Sequence, residues 1–223
     1  MQPTESKAPR WERRKDARPG EIISAALDVF VEKGYAGARL DDVAARAGVS
    51  KGTLYLYFEN KEALFQAVVL ETIVPLLSQG SEAIARHTGP RSELLRGFFA
   101  DWWERFGSTK LAGISKLVIA EAGNFPELGA FFQREVVEPS GRLLRQVLEA
   151  GIASGEFRPV DVEYAWRILQ SPLVLASIWN QSIGKFCQPV DLDLPRFLRA
   201  HADLMVGALL AAPVAAVPAD LER

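Results

Sequence analysis

The chain has 223 residues, 48% of them hydrophobic and 24% charged, and 26 basic side chains against 28 acidic ones give a formal charge of -2. A chain of that length buries a core without covalent staples, and a single cysteine, Cys187, excludes an internal disulfide framework. Two histidines, His87 and His201, with no CxxC or HExxH spacing leave no zinc motif, so neither metal nor cofactor is expected. The near-neutral charge, taken alone, argues against a nucleic-acid binder, because phosphate contacts need clustered Lys and Arg.

In chain order, residues 1–18 are polar and carry Lys7, Arg10, Arg13, Arg14, Lys15 and Arg18 against Glu5, Glu12 and Asp16, which reads as a flexible basic arm. They lack the apolar stretch of a signal peptide. The longest apolar run, Leu204 to Val217, is interrupted by Pro213 and is shorter than the roughly 20 residues that span a bilayer. A cytoplasmic protein without a membrane helix is expected.

From Glu21, apolar residues recur at three and four positions (Ile23, Ala26, Leu27, Phe30, Val31) and the run ends at Gly34, predicting a first helix. Asp41 to Ala47 predicts a second, broken by Gly48-Val49-Ser50. Ser50 suits the N-cap of a third helix running to Phe58, and Asn60 the N-cap of a fourth. Pro75 removes the amide that would bond the Glu71 carbonyl, and the apolar pattern resumes at Leu76 and Leu77, so a kink rather than a stop is expected there. Further helical patterns cover Glu93–Phe106, Leu111–Ala122, Glu127–Ser154, Val162–Ser182 and Leu194–Leu210, and no period-two alternation is long enough for a sheet. The tail from Ala211 is expected to fray.

A tight glycine turn between two short amphipathic helices is what a helix-turn-helix requires. On a helical wheel with Leu54 inward, Phe58 joins it, whereas Gly52, Thr53 and Leu56 face outward with Tyr55 and Tyr57 on the flanks. That outer face has no acidic residue. Gly52 permits close approach, hydroxyls reach phosphates or base edges, and Leu56 suits a thymine methyl. Lys51 and Lys61 sit in first turns of successive helices, where amides and ammonium groups together favour phosphate. The competing reading is an ordinary three-helix subdomain with two surface tyrosines.

The stretch from Ile22 to Leu64, above all Ala25-Ala26-Leu27-Asp28-Val29-Phe30-Val31-Glu32-Lys33-Gly34-Tyr35 and Val43 through Leu64, resembles the DNA-binding domain of the TetR family of bacterial transcriptional regulators. The resemblance implies an all-α protein of about nine helices. It would comprise an N-terminal three-helix helix-turn-helix DNA-binding domain (19–66) and a larger C-terminal helical ligand-binding and dimerisation domain (67–212), with a disordered tail at 213–223. It also implies operator contacts from Lys51, Thr53, Tyr55 and Tyr57 and a phosphate contact from Lys61. One departure lies at the start of the second helix, where the family usually has hydroxyls and this chain has Ala38 and Arg39. Asp42 therefore lacks a capping-box partner, and Arg39 is expected to take over as a phosphate contact.

In the larger domain, Phe98, Phe99, Trp102, Trp103 and Phe106, then Phe125, Phe131 and Phe132, then Trp166, Trp179 and Phe186 are individually ordinary core residues, but together they favour an apolar ligand between helices. The expected ligand-binding set is Phe99, Trp102, Trp103, Phe106, Trp166, Gln170 and Trp179, with His87 and Asn180 as further polar candidates. The last two long helices are the dimer interface by analogy with the family, presenting Ala165, Leu169, Leu173 and Ala176, then Leu198, His201, Met205 and Ala208. A dimer would place two recognition helices in successive major grooves, on a palindromic double-stranded operator. The expected function is a repressor released by a small-molecule inducer, with the kinked fourth helix as the lever. The rival is a DNA-binding adaptor whose large domain binds a protein. Catalysis is not expected: there is no Gly-x-Ser-x-Gly elbow, and Ser50-Lys51-Gly52-Thr53 is not a P-loop.

The charge argument sharpens once the chain is divided. Residues 1–66 carry 11 basic and 10 acidic side chains, and 67–223 carry 15 and 18. The acidic excess belongs to the domain that is not expected to meet DNA.

Overall fold

A computed structural model describes residues 19–186 and 193–211, and these form helices joined by short turns, without a strand. The basic arm (1–18), Cys187 and the tail (213–223) lie outside the described residues. α1 spans Pro19–Gly37, α2 Leu40–Ala47, α3 Lys51–Tyr57, α4 Lys61–Thr72 and α5 Val74–Arg86. They are followed by α6 Arg91–Trp102, α7 Ala112–Glu121, α8 Pro126–Phe132, α9 Glu138–Ala153, α10 Val162–Gln181 and α11 Leu194–Leu209.

Local chemistry explains the boundaries. Gly34 breaks α1 with a φ of 71°, and the following turn brings Tyr35 back into the core. Gly48, at φ 70°, closes α2 in the left-handed conformation that a residue without Cβ adopts at least cost. α4 and α5 follow one another across Ile73, whose amide still bonds Val69 O at 2.9 Å. Pro75 then occupies the first turn of α5, where its missing donor costs nothing. The tandem 61–86 is long and apolar enough to cross a membrane. Of its apolar residues, Leu64, Phe65, Val68, Val69 and Ile73 are buried in the core and Leu76 packs against it, whereas Leu70 is exposed.

Two hydrophobic cores result. In the first, α1–α4 share a core with α7 and α8, so the helix-turn-helix packing does not stop at residue 66. Phe30 meets Phe65 edge-on at 5.4 Å and Tyr35 meets Phe125 at 4.9 Å. α7 also crosses α1 closely, and polar links flank that crossing: Lys110 Nζ to Asp28 Oδ1 at 2.6 Å, and Ala36 N donating to Glu121 Oε1 at 3.3 Å. The second core joins α6, α9, α10 and α11 around Phe99, Leu148, Trp166, Leu173 and Val206.

Of the eight residues expected at the dimer interface, Ala208 is exposed and the other seven turn inward. Leu169, Leu173, Ala176 and His201 are buried within the subunit, and Ala165, Leu198 and Met205 pack against the same core. The surfaces left uncovered are apolar too: Tyr164, Ile168 and Leu175 on α10, and Ala200, Leu204, Gly207, Ala208 and Ala211 along and just past α11. Both faces of these helices are apolar, so periodicity alone cannot say which one is internal.

Candidate nucleic-acid interface and cavity

The turn between α2 and α3 is built from local bonds. Val49 N donates to Ala44 O at 3.0 Å, and Ser50 Oγ accepts from Thr53 N at 3.0 Å, capping α3. Leu54 and Phe58 are buried beneath the helix, as the wheel predicts. Gly52, Tyr55, Leu56 and Tyr57 face solvent, and Leu56 is 83% exposed, forming one outward apolar and aromatic strip with the two tyrosines. Thr53 differs from expectation: it is half-buried, and its hydroxyl shares a 2.8 Å hydrogen bond with Ser50 Oγ, so it reinforces the cap.

The cations around this face are not equally available. Lys51 Nζ lies 2.7 and 3.0 Å from the two carboxylate oxygens of Asp41 and 6.0 Å from the Tyr55 ring centroid. Its hydrogen bond to Asp41 raises the ammonium's pKa above the usual lysine value. Lys61 points elsewhere than the phosphate reading requires. Its ammonium donates to Tyr35 O at 2.7 Å and Ala36 O at 3.3 Å and lies 4.7 Å from the Tyr35 ring, so it caps the end of α1. Arg46 is paired with both oxygens of Glu32 at 2.7 Å, which holds that carboxyl below its usual range. Lys33 pairs with Asp42 at 2.8 Å. Arg39, exposed at the N-cap of α2 with no side-chain cap bond, has no ion pair among the described residues.

A cavity of about 570 Å³ lies between α4–α5, α6, α7, α8–α9 and α10. Its wall is mostly aliphatic and aromatic, with buried Ser115 and Ser140 and half-buried Gln170 as neutral polar groups. The charged lining residues Asp101, Arg105 and Arg167 are all exposed, so charge is confined to the rim. Two π-helical turns contribute to this wall: Trp103–Gly107 closes α6, and Gln133–Val137 joins α8 directly to α9. π-turns recur at functional sites because they re-aim side chains that a regular helix would point elsewhere.

Four of the seven sequence-derived ligand residues meet here: Trp102, Phe106, Trp166 and Gln170. Trp166 is held by Gly141, where a β-carbon would come within 3.0 Å of its ring, and Arg167 lies 4.4 Å from its ring centroid. Three do not line the cavity. Phe99 is buried in the second core with its ring 5.0 Å from His201, Trp103 packs back over Gly107, and Trp179 lies against Gly184. His87 and Asn180 are also absent from the lining, and His87 Nε2 bonds Pro90 O at 3.0 Å. The wall residues that sequence reasoning missed, Leu76, Leu77, Val118, Val136 and Leu143, are ordinary core types. Nothing in their spacing separates a cavity wall from a filled core.

Comparison with known proteins assigns the chain. Residues 22–68 match the model described as bacterial regulatory proteins, tetR family, and residues 86–182 match the tetracyclin repressor-like C-terminal domain. The HTH-type transcriptional regulator CymR of Pseudomonas putida is 30% identical over 169 residues, covering 75% of this chain and 82% of CymR. This chain belongs to the TetR family.

The HTH-type transcriptional activator FasR of Mycolicibacterium smegmatis is 40% identical over 80 residues, which cover 36% of this chain and only 36% of FasR. A crystal structure of the transcriptional regulator FadR from Bacillus subtilis, in complex with stearoyl-CoA, shares the fold. Its TM-score is 0.73 at 24% identity, covering 86% of this chain and all of that one. The TetR-family DNA-binding match covers α1–α3 and most of α4, and the C-terminal match runs from the end of α5 through α10. The chain is therefore a DNA-binding transcriptional regulator, and its relatives carry regulator names, not enzyme names.

Proposed function

We propose that this TetR-family chain is a homodimeric repressor. It would grip a palindromic operator through α3 and leave it when a small, largely apolar molecule fills the cavity. The observation that carries the reading is the 570 Å³ cavity within one subunit, with a neutral apolar wall and charge only at the rim. A bundle that served only to bind a protein partner would have a filled interior. Base contacts fall to Leu56, Tyr55, Tyr57 and Gly52, with Thr53 at the cap, and phosphate contacts to Lys51 and Arg39. The regulator acts in the cytoplasm, where the bacterial chromosome lies.

The cavity is coupled to the DNA-binding helices by two routes. The α4–α5 tandem supplies Ile73, Leu76 and Leu77 to the wall, and α7 supplies Ser115, Val118 and Ile119 while crossing α1 on its other side. Ligand that prefers one arrangement of these helices shifts the spacing of the two α3 helices in the dimer. Selection of bound sequences from a random DNA pool tests the DNA half. The reading requires a palindrome with half-sites about 34–36 Å apart, and recovery of unpaired half-sites overturns it. Release of that DNA by an apolar ligand, but not by the same ligand after Leu143→Trp fills the cavity, tests the other half.

A further inference from the structure

Lys51 is the one cation on α3, and the structure gives it an internal partner. Asp41, in the first turn of α2, reaches across the turn and holds its ammonium with both carboxylate oxygens, at 2.7 and 3.0 Å. Both side chains are open to solvent, 58% and 61% exposed, so a phosphate can reach the pair and compete for it. Among the neighbouring cations, Lys33 pairs with Asp42 and Arg46 with Glu32, Lys61 donates to two main-chain carbonyls, and Arg39 has no ion pair among the described residues. The recognition face therefore meets DNA with its lysine already neutralised.

We infer that Asp41 is an affinity-setting residue: it restrains Lys51 in an ion pair that the DNA backbone must displace. The inference rests on the reading of Lys51 as a phosphate contact. A contact made after displacing a carboxylate is worth less than one made by a free ammonium, and the vacated carboxylate is left beside the DNA. Asp41 thus lowers affinity without touching a base, and it does so equally for every sequence, since phosphate carries no sequence information. Discrimination between operator and bulk chromosomal DNA is then left to the base contacts.

The test uses the full chain and a short mixed-sequence duplex, so that no operator need be known. Asp41→Asn is expected to tighten binding by about two- to fivefold, the range of an exposed ion pair. It should also steepen the log–log salt dependence by up to about 0.9. Lys51→Met should weaken binding, and in that background Asp41→Asn should gain clearly less than it does beside Lys51, only the small residue due to the carboxylate's own repulsion of phosphate. The same gain on a selected palindrome, with an unchanged ratio of palindrome to mixed-sequence affinity, completes the expected result. Weaker binding by Asp41→Asn would overturn the inference by making Asp41 a support that aims Lys51. A gain that persists undiminished beside Lys51→Met would also overturn it, by making Asp41 a direct repulsion of phosphate. Unchanged binding by Lys51→Met would instead sink the phosphate reading of Lys51 itself. Thermal unfolding of each variant separates these outcomes from loss of α2, whose first turn Asp41 supports through its charge and not through a cap bond.

Discussion

Val31 and Gly113 touch where α1 crosses α7: a β-carbon on Gly113 would lie 2.8 Å from Cγ1 of Val31 and 2.9 Å from Cγ2. Two branched or longer side chains cannot occupy that crossing, so glycine sets how near α7 comes to the DNA-binding helices. Gly113→Ala should therefore destabilise the fold by about 1–3 kcal/mol through overpacking. That is larger than the gain of up to about 1 kcal/mol from replacing a helical glycine, which is small so close to the helix start. Val31→Ala in the same chain should recover most of the loss. Thermal unfolding of the double-mutant cycle checks this, and additive losses would mean that the two residues are not coupled.

Ser50 organises α3 through two bonds, one accepted from Thr53 N and one shared with the Thr53 hydroxyl. A helix of seven residues has little other local stability. Ser50→Ala should cost about 1 kcal/mol and weaken DNA binding with it. Leu56→Ala removes an exposed side chain, so it should leave the unfolding temperature where it is and lower affinity only for the selected palindrome. Equal effects of the two variants on stability would contradict the assignment of Leu56 to the DNA face.

These two sites also show what the sequence disclosed and what it withheld. The cap at Ser50, the left-handed turn at Gly48 and the inward pair Leu54 and Phe58 were all legible, because each depends on residues within a turn or two of itself. Lys61 was not: its partners, the carbonyls of Tyr35 and Ala36, lie 25 residues or more away in sequence and are brought to it by the packing of α4 on α1. The cavity was legible only as a composition. Trp102, Phe106 and Trp166 line it while Phe99, of the same chemical type and in the same helix as Trp102, is buried in the adjacent core. The close crossing at Gly113 left no mark in the pattern, since a glycine near a helix start looks like a boundary.

His201 is buried on α11, its Nε2 2.9 Å from the carbonyl oxygen of Leu169, with Phe99 and Phe197 rings beside it. Burial lowers its pKa below the ordinary histidine value of 6.5, outweighing the opposing effect of the Leu169 carbonyl. The folded state therefore prefers the neutral ring, while the unfolded chain takes up a proton more readily. Stability from this group is complete above the unfolded value and is lost as the pH falls below about 6.5 towards the lower folded value. His201→Gln should flatten stability against pH in that window, as followed by urea unfolding at several pH values. A wild-type profile that is already flat there would remove His201 from the account.

The uncovered apolar faces of α10 and α11 make a different prediction from the faces that periodicity first suggested. Leu204 is 68% exposed and lies between the small residues Ala200, Gly207, Ala208 and Ala211, a strip on which a second pair of helices can pack closely, with Asp203 and Arg158 at its margin. Leu204→Arg places a charge at the centre of that surface but touches nothing inside the subunit. It should yield a folded monomer by sedimentation, with full helix content and DNA affinity reduced by a hundredfold or more, since one recognition helix alone forgoes the second half-site (roughly 10²–10⁴ from linkage of two sites). A variant that stays dimeric would move the interface to another face. A monomer that holds the palindrome as tightly as the wild type would show that the two half-sites are not read together.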